Sequence, residues 1–588
     1  MVQGYLQIAA FCAILVASVP LLGGYMARVF RDERVFLTPV IAPAERVLYR
    51  VLRVDPERGQ DWKAYARSLL VFSTLFGVLL YVILRTQGIH PFNPGDFRSG
   101  PADVSFNTAT SFLTNTNWQF YGGETTLSYF SQMAGLAVQN FVSAAVGIAV
   151  LVALMRGLAA RGGDGILGNF YRDVTRIILY ILVPLSIVAT VVLVSQGVVQ
   201  TLGGTVGGIA RGPVASQEAI KMLGTNGGGF FNVNSAYPFE NPSAFTNFFE
   251  MFIILCIPAA LPYTYGRIVG SRRQGWTIFG VMFALFVVSV VVVYVAERHG
   301  TPAAHAAGLV GGNLEGKEQR FGIASTSLFT AITTVVSCGA VNGAFESLTG
   351  LGGLGPMADL GYSESVFGGV GTGLYMMLLF VLLAVFIGGL MVGRTPEYLG
   401  KKIEPREVKL VTIGALFTAL IVLVFTALAV GTKYGAPSTF AAGPQGFSEN
   451  FYAYLSQANN NGSAFAGYTG FLQPNAPGNA GAHGVTFADL LGGFAMLFGR
   501  FVPILAVLAV AGALARKKVS PAGLGTMRTD TPTFGFLLIG VIVLVGALTF
   551  LPAFLLGPIV QSLTTTHFYR EATEPSARTS TDTPTRSS

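Results

Sequence analysis

Four short polar turns carry the residue types that can hold a cation stripped of its water. They read Thr114-Asn115-Thr116-Asn117, Thr225-Asn226-Gly227-Gly228, Ser337-Cys338-Gly339-Ala340 and Asn460-Asn461-Gly462-Ser463. Aligned on the second residue of each, positions 115, 226, 338 and 461 are 111, 112 and 123 residues apart. The first position is a hydroxyl or amide residue in every copy; the third is Gly in three copies and Thr in the first. One turn recurring at a near-fixed interval is the mark of internal duplication. Polar backbone at membrane depth is tolerated only where protein buries it or water reaches it. Four such turns around one axis form a ring of carbonyls that replaces the water shell of an alkali cation. Gly at the third position allows a backbone shape closed to other residues and keeps the bore clear.

The elements that must position these turns are membrane helices. The chain of 588 residues is 52% hydrophobic and 11% charged, with a mean hydropathy of +0.58. That composition belongs to polytopic membrane proteins. Apolar runs of spanning length fall near 5–27, 66–86, 127–155, 174–196, 245–266, 275–296, 368–391, 408–430, 488–514 and 533–560, which predicts ten helices. Before each turn lies a shorter helical run, at 106–113, 217–223, 326–336 and 449–458. Ser105 or Asn107, Ser216, Ser325 or Thr326, and Ser448 are the expected caps. Each half-helix would enter from one side and point its partly negative C-terminus at the membrane centre, which suits a cation there.

The fold expected is therefore all-α and membrane-embedded. Four parallel units of helix, half-helix, turn and helix surround a pseudo-fourfold pore. The repeats span 66–155, 174–266, 275–391 and 408–514. Residues 1–65 form an N-terminal helix and basic connection, 533–560 a last helix, and 561–588 a polar tail. Of the 37 Lys and Arg, 25 fall in the connections that would lie on one side, and 11 on the other. The positive-inside rule makes the first side cytoplasmic, so both termini and all four turns are expected outside. The net charge of +8 reflects this asymmetry and calls for no nucleic-acid partner. The first helix lacks the basic stretch that opens a cleaved signal peptide.

Over nearly its whole length the sequence resembles the potassium-binding (A) subunit of bacterial Kdp-type potassium-transporting ATPases. The resemblance rests on Thr114–Gln119 (TNTNWQ), Gly123–Asn140, Gly212–Asn232, Ser337–Val341 (SCGAV), Phe367–Tyr375 (FGGVGTGLY), Arg394–Ile403, Asn459–Gly467 (NNNGSAFAG) and Gly499–Phe501. It departs from the family after Val341, in a longer 471–486 loop and in the polar tail. The resemblance implies a subunit that selects potassium in a bacterial inner membrane. A P-type ATPase subunit would hydrolyse ATP, small membrane subunits would assist, and the ion would leave the filter sideways through a tunnel. A stand-alone potassium channel or symporter with the same four-repeat pore is the alternative.

The chain has no GxxxxGK[ST] and no Asp-Lys-Thr-Gly, so ATP hydrolysis by it alone is not expected, nor is an organic cofactor. Gly350–Gly355 matches GxGxxG but follows no strand, which argues against a dinucleotide site. The three Cys and five His show no metal spacing. Gly368, Gly369, Gly371 and Gly373 crowd the expected start of the seventh helix, either for close packing or as a gate. Glu364 just before them is either a solvated end residue or a cation waypoint. Arg500 stands about 12 residues into the ninth helix, roughly 18 Å deep at ~1.5 Å per residue. A cation there is costly. It either pins two helices or forms an electrostatic floor beneath the ring.

Overall fold

The computed structural model describes residues 2–207, 209–301, 304–305, 307–308, 310–469, 486–521 and 526–563. Ten helices among them are long and apolar enough to cross a membrane. They are α1 (Val2–Phe30), α3 (Trp62–Thr86), α5 (Ser131–Ala159), α6 (Phe170–Ser195), α8 (Ala244–Ile268), α9 (Arg272–His299), α12 (Thr372–Met391), α13 (Pro405–Gly431), α15 (Phe487–Ala515) and α16 (Pro532–Leu563). Each expected span has its counterpart. Boundaries differ by a few residues, in several spans because a polar cap rather than the apolar run begins the helix. Asp61 caps α3 by accepting from the Ala64 amide, and Ser243 shares a capping box with Thr246 on α8.

The half-helices are α4 (Ala102–Leu113), α7 (Val214–Leu223), α10 (Gly322–Val335) and α14 (Gly443–Ala458). All four begin three to six residues earlier than the sequence suggests. Their first turns follow Pro101, Pro213, Phe321 and Ala442, none with a side-chain cap. Ser105, Ser216, Ser325 and Ser448 thus lie inside helices and are not N-caps. In three copies a Pro at or next to the first helical position begins the helix, since its fixed φ suits that place and its missing N–H costs nothing there.

Among the described residues, two further helices longer than a single turn have no counterpart in the expectations. Thr38–Val51 (α2) lies in the basic connection after α1. Gly350–Gly361 (α11) contains the GxGxxG stretch, which is therefore helical and not a phosphate loop. With α11 in place, the second spanning element of the third repeat is broken. α11 stops at Gly361, residues 362–371 form an irregular loop, and α12 resumes at Thr372. The repeats are α3–α4–α5, α6–α7–α8, α9–α10–α11–α12 and α13–α14–α15. Outside them α1 packs along α8, and α16 packs on α9 and α12.

The face carrying most of the basic connections is knit by ion pairs. Arg156 meets Asp173 at 2.6 Å, and Arg176 meets Glu45 of α2 at 3.2 Å. Buried Lys401 donates from Nζ to the carbonyls of Gly157 and Leu514, each at 2.8 Å, and so holds the ends of α5 and α15 together. The 471–485 stretch and the tail after 563 lie outside the described residues.

Candidate functional site: the four-turn ring

Each half-helix ends in the same way. The amides of Thr116, Asn226, Cys338 and Asn461 bond the carbonyls five residues back, of Ser111, Lys221, Thr333 and Ser456, at 2.8–2.9 Å. The residue before each, namely Asn115, Thr225, Ser337 and Asn460, has a positive φ of 47–70°. That bond with a left-handed residue before it is the Schellman ending of a helix. Two residues further on, Asn117, Gly227, Gly339 and Gly462 are again left-handed, with φ of 56, 88, 90 and 101°.

This pattern corrects the register read from sequence. In the first repeat the equivalent positions are Asn115, Thr116 and Asn117, one residue later than the sequence alignment placed them. Thr114 is the helix cap; its hydroxyl bonds back to the Thr110 carbonyl and across to the Thr116 hydroxyl, both at 2.8 Å. The third position is then Gly in the last three copies and Asn in the first. Asn is the non-glycine residue most at ease with a left-handed backbone, so the exception has a physical reason.

The turns close on one another in cyclic order. A Cβ added to Gly227 would lie 1.9 Å from the Cys338 carbonyl oxygen; on Gly339, 2.1 Å from that of Asn461; on Gly462, 2.0 Å from that of Thr116. The Asn115 side-chain amide donates to the Gly224 and Thr225 carbonyls at 3.2 and 3.1 Å, which joins the first turn to the second. Gly228 leaves the room that Asn117 needs, since a Cβ there would lie 2.9 Å from that of Asn117. The four third-position residues open together on one vestibule of about 1120 Å³. Ala340 and Ser463 follow their turns and are buried, with the Ser463 hydroxyl 2.8 Å from that of Tyr452.

Behind the ring lies a polar shell that motif reading did not find. Asn117 donates to Asn140 at 2.9 Å, and Ser143 donates to Asn115 at 2.8 Å. Lys221 is fully buried between Glu218 and Glu240, at 2.7 and 3.0 Å. Glu250 lies buried beside this group. An acid inside the apolar run 245–266 was the available signal. Asp359, also buried, accepts from the hydroxyls of Ser289 at 2.6 Å and Thr334 at 2.8 Å. It thereby ties α11 to the third half-helix.

Beneath the ring runs the 362–371 loop. Ser363, Glu364, Phe367, Gly368 and Gly371 all have positive φ, three of them without glycine's freedom. The loop touches three repeats. The Gly368 amide donates to the Val335 carbonyl at 2.8 Å, and the Val370 amide to the Thr225 hydroxyl at 3.0 Å. A Cβ on Gly371 would lie 2.3 Å from the Gly147 carbonyl oxygen of α5. Gly373, in the first turn of α12, packs against the Phe367 carbonyl, while Gly369 has open space, with nothing nearer than 3.6 Å to an added Cβ. Close packing and a break in the helix are thus both present. Glu364 is buried, not a solvated end residue.

Arg500 faces this loop. It is buried and makes no ion pair among the described residues. Its Nη1 donates to the Thr372 hydroxyl at 2.5 Å. The preceding Gly499 packs on the carbonyl of Ala458, the last residue of the fourth half-helix. Arg500 therefore stands directly after the end of that half-helix. No cluster of three or more His, Cys, Asp or Glu suited to a metal occurs among the described residues.

Fold and site together define a membrane protein with four pore-loop repeats meeting at one ring. Residues 9–563 match the family described as the potassium-transporting ATPase A subunit, KdpA, and the chain belongs to that family. Proteins called potassium-transporting ATPase potassium-binding subunit are similar throughout. That of Methylobacterium radiotolerans is 52% identical over 570 residues, covering 95% of this chain and 97% of the relative. That of Methylobacterium nodulans is 53% identical over the same length and coverage. Among solved structures, the potassium transporter TrkH from Vibrio parahaemolyticus aligns with a TM-score of 0.49 at 16% identity, over 86% of this chain and 97% of its own.

Proposed function

We propose that this chain selects potassium and occludes it for an ATP-driven importer. One observation carries the reading: each repeat delivers its left-handed third residue to one closed ring at the floor of one vestibule. The carbonyls of Thr225, Asn226 and Gly227, with those of the matching residues in the other turns, line the filter and substitute for the ion's water. Four helix C-termini converge there, so the field favours a cation. Potassium is cargo, and no organic cofactor takes part.

The parts below the ring serve the pump. Arg500 is the electrostatic floor, and the loop with Glu364, Gly368, Gly369, Gly371 and Gly373 gates the space above it. An ion reaching that level is turned sideways, toward a P-type ATPase subunit that supplies the energy with small membrane subunits assembled around it. The relatives' shared name supports such partners. The charge asymmetry supports a bacterial inner membrane with the vestibule and both termini outside. The isolated, folded chain binds no nucleotide; saturable ATP binding by it would overturn that part.

The test is transport, or ATPase activation, against potassium and rubidium concentration in the purified complex carrying Gly227→Asp. The proposal expects weaker potassium affinity and entry of other cations. An unchanged half-saturation would take this turn out of the filter.

A further inference from the structure

We propose that a groove between α3, α13 and α15 is a binding site for an anionic phospholipid. It has a volume of about 460 Å³ and is lined by Trp62, Pro405, Arg406, Lys409, Leu410 and Ala509. Trp62 and Pro405 are the first residues of two spanning helices, and Ala509 lies six residues before the end of a third. At ~1.5 Å per residue the groove runs from the membrane boundary roughly 9 Å inward. Its rim is therefore at headgroup depth and its floor among acyl chains. Trp62 rests directly on Gly512, where an added Cβ would lie 2.4 Å from the indole, so one wall is a fixed aromatic plane at the interface.

The rim carries uncompensated positive charge. Arg406 and Lys409 are exposed, one turn apart, and their side chains make no ion pair or hydrogen bond among the described residues. The acids beside them are already engaged: Lys517 holds Glu404 at 3.0 Å and Glu407 at 2.6 Å. Asp61 is committed to capping α3. Lys63 adds a third cation, 5.9 Å from the Trp62 ring centroid. Both rim cations also stand in the first turns of α13, where the helix dipole opposes them, so an anion there relieves two costs at once. A phosphate group meets that need. The apolar floor selects a phosphate that brings an acyl chain, which is a lipid and not the free ion.

The test places a photoreactive benzoylphenylalanine at Leu410 in the full complex. The complex is reconstituted in vesicles of equal parts phosphatidylcholine and phosphatidylglycerol. Adducts after illumination are identified by mass spectrometry. Phosphatidylglycerol adducts should exceed phosphatidylcholine roughly tenfold, given two cations near the surface. The same probe at Phe536, one turn into α16 and 75% exposed, should report the bulk ratio. Arg406→Gln with Lys409→Gln should bring the Leu410 ratio down to bulk, while Arg406→Lys should keep it. Three results would overturn the proposal: a bulk ratio at Leu410 in the unaltered chain, an enrichment abolished by excess inorganic phosphate, or adducts to a partner subunit's peptide instead of lipid.

Discussion

At the ring the four repeats copy one another; one step beneath it they do not. In the ring layer every half-helix ends with the same bond and the same pair of left-handed residues. In the layer below, α5, α8 and α15 continue unbroken, whereas the third repeat opens into the 362–371 loop and the fourth alone offers an arginine. Symmetric coordination needs matched carbonyls, so the ring tolerates little divergence. A directional path for the ion needs asymmetry, which on the proposed reading the lower layer supplies. A ring alone is compatible with a channel; a ring over a blocked floor is what a pump requires.

The largest effect is expected where the ring is disturbed. In Gly227→Asp the new Cβ collides with the Cys338 carbonyl, and a carboxylate enters the mouth. Half-saturation for potassium should rise roughly a hundredfold, equivalent to about 3 kcal/mol, with rubidium discrimination lost. Activation curves for the two ions measure it, and curves matching the parent would sink the ring reading.

Next is the floor. Arg500→Gln removes the buried cation but keeps a hydrogen-bonding side chain for Thr372. Passive rubidium flux into liposomes without ATP should rise roughly tenfold over the parent, because a costly buried charge no longer repels the ion. A folded Arg500→Gln complex with no leak and normal ions moved per ATP would make the arginine a helix pin only.

The loop comes third. Gly371→Ala puts a methyl against the Gly147 carbonyl at a φ of 87° that alanine resists. Turnover should fall by about tenfold, while half-saturation moves less than about twofold, because the ring above is untouched. If affinity changes as much as turnover, the two layers are not separate in function.

The smallest effect tests the one irregular copy. Asn117→Gly should shift half-saturation by no more than about threefold, since glycine adopts the same left-handed backbone. The reciprocal Gly462→Asn should be far worse, because nothing corresponding to Gly228 makes room beside the Thr116 carbonyl. Equal penalties would mean that the Asn117 side chain, and not its backbone, is what the ring needs.

The sequence by itself determined the membrane class, the ten spans, the four turns and their order. Hydropathy and Gly/Asn turn chemistry are local properties, written into runs of adjacent residues. It placed the first turn one residue early because Thr-Asn occurs at both 114–115 and 116–117, and only the bond from the Thr116 amide to Ser111 settles that Thr116 holds the second place and Asn117 the third. It took the serines for caps because a polar residue before an apolar run looks the same whether it caps a helix or lies within it. Only the tertiary structure decided that the third repeat is broken. The break is imposed by contacts of Gly368 with the half-helix of its own repeat and of Val370 and Gly371 with two other repeats, at separations no local pattern records. It also brought Arg500 and Glu364, 136 positions apart in sequence, to one loop: Arg500 donates to Thr372, and a Cβ on Gly369 would lie 3.6 Å from the Glu364 carboxylate and 3.7 Å from the Thr372 hydroxyl. Their shared depth follows from packing Gly499 on Ala458 and Gly371 on Gly147.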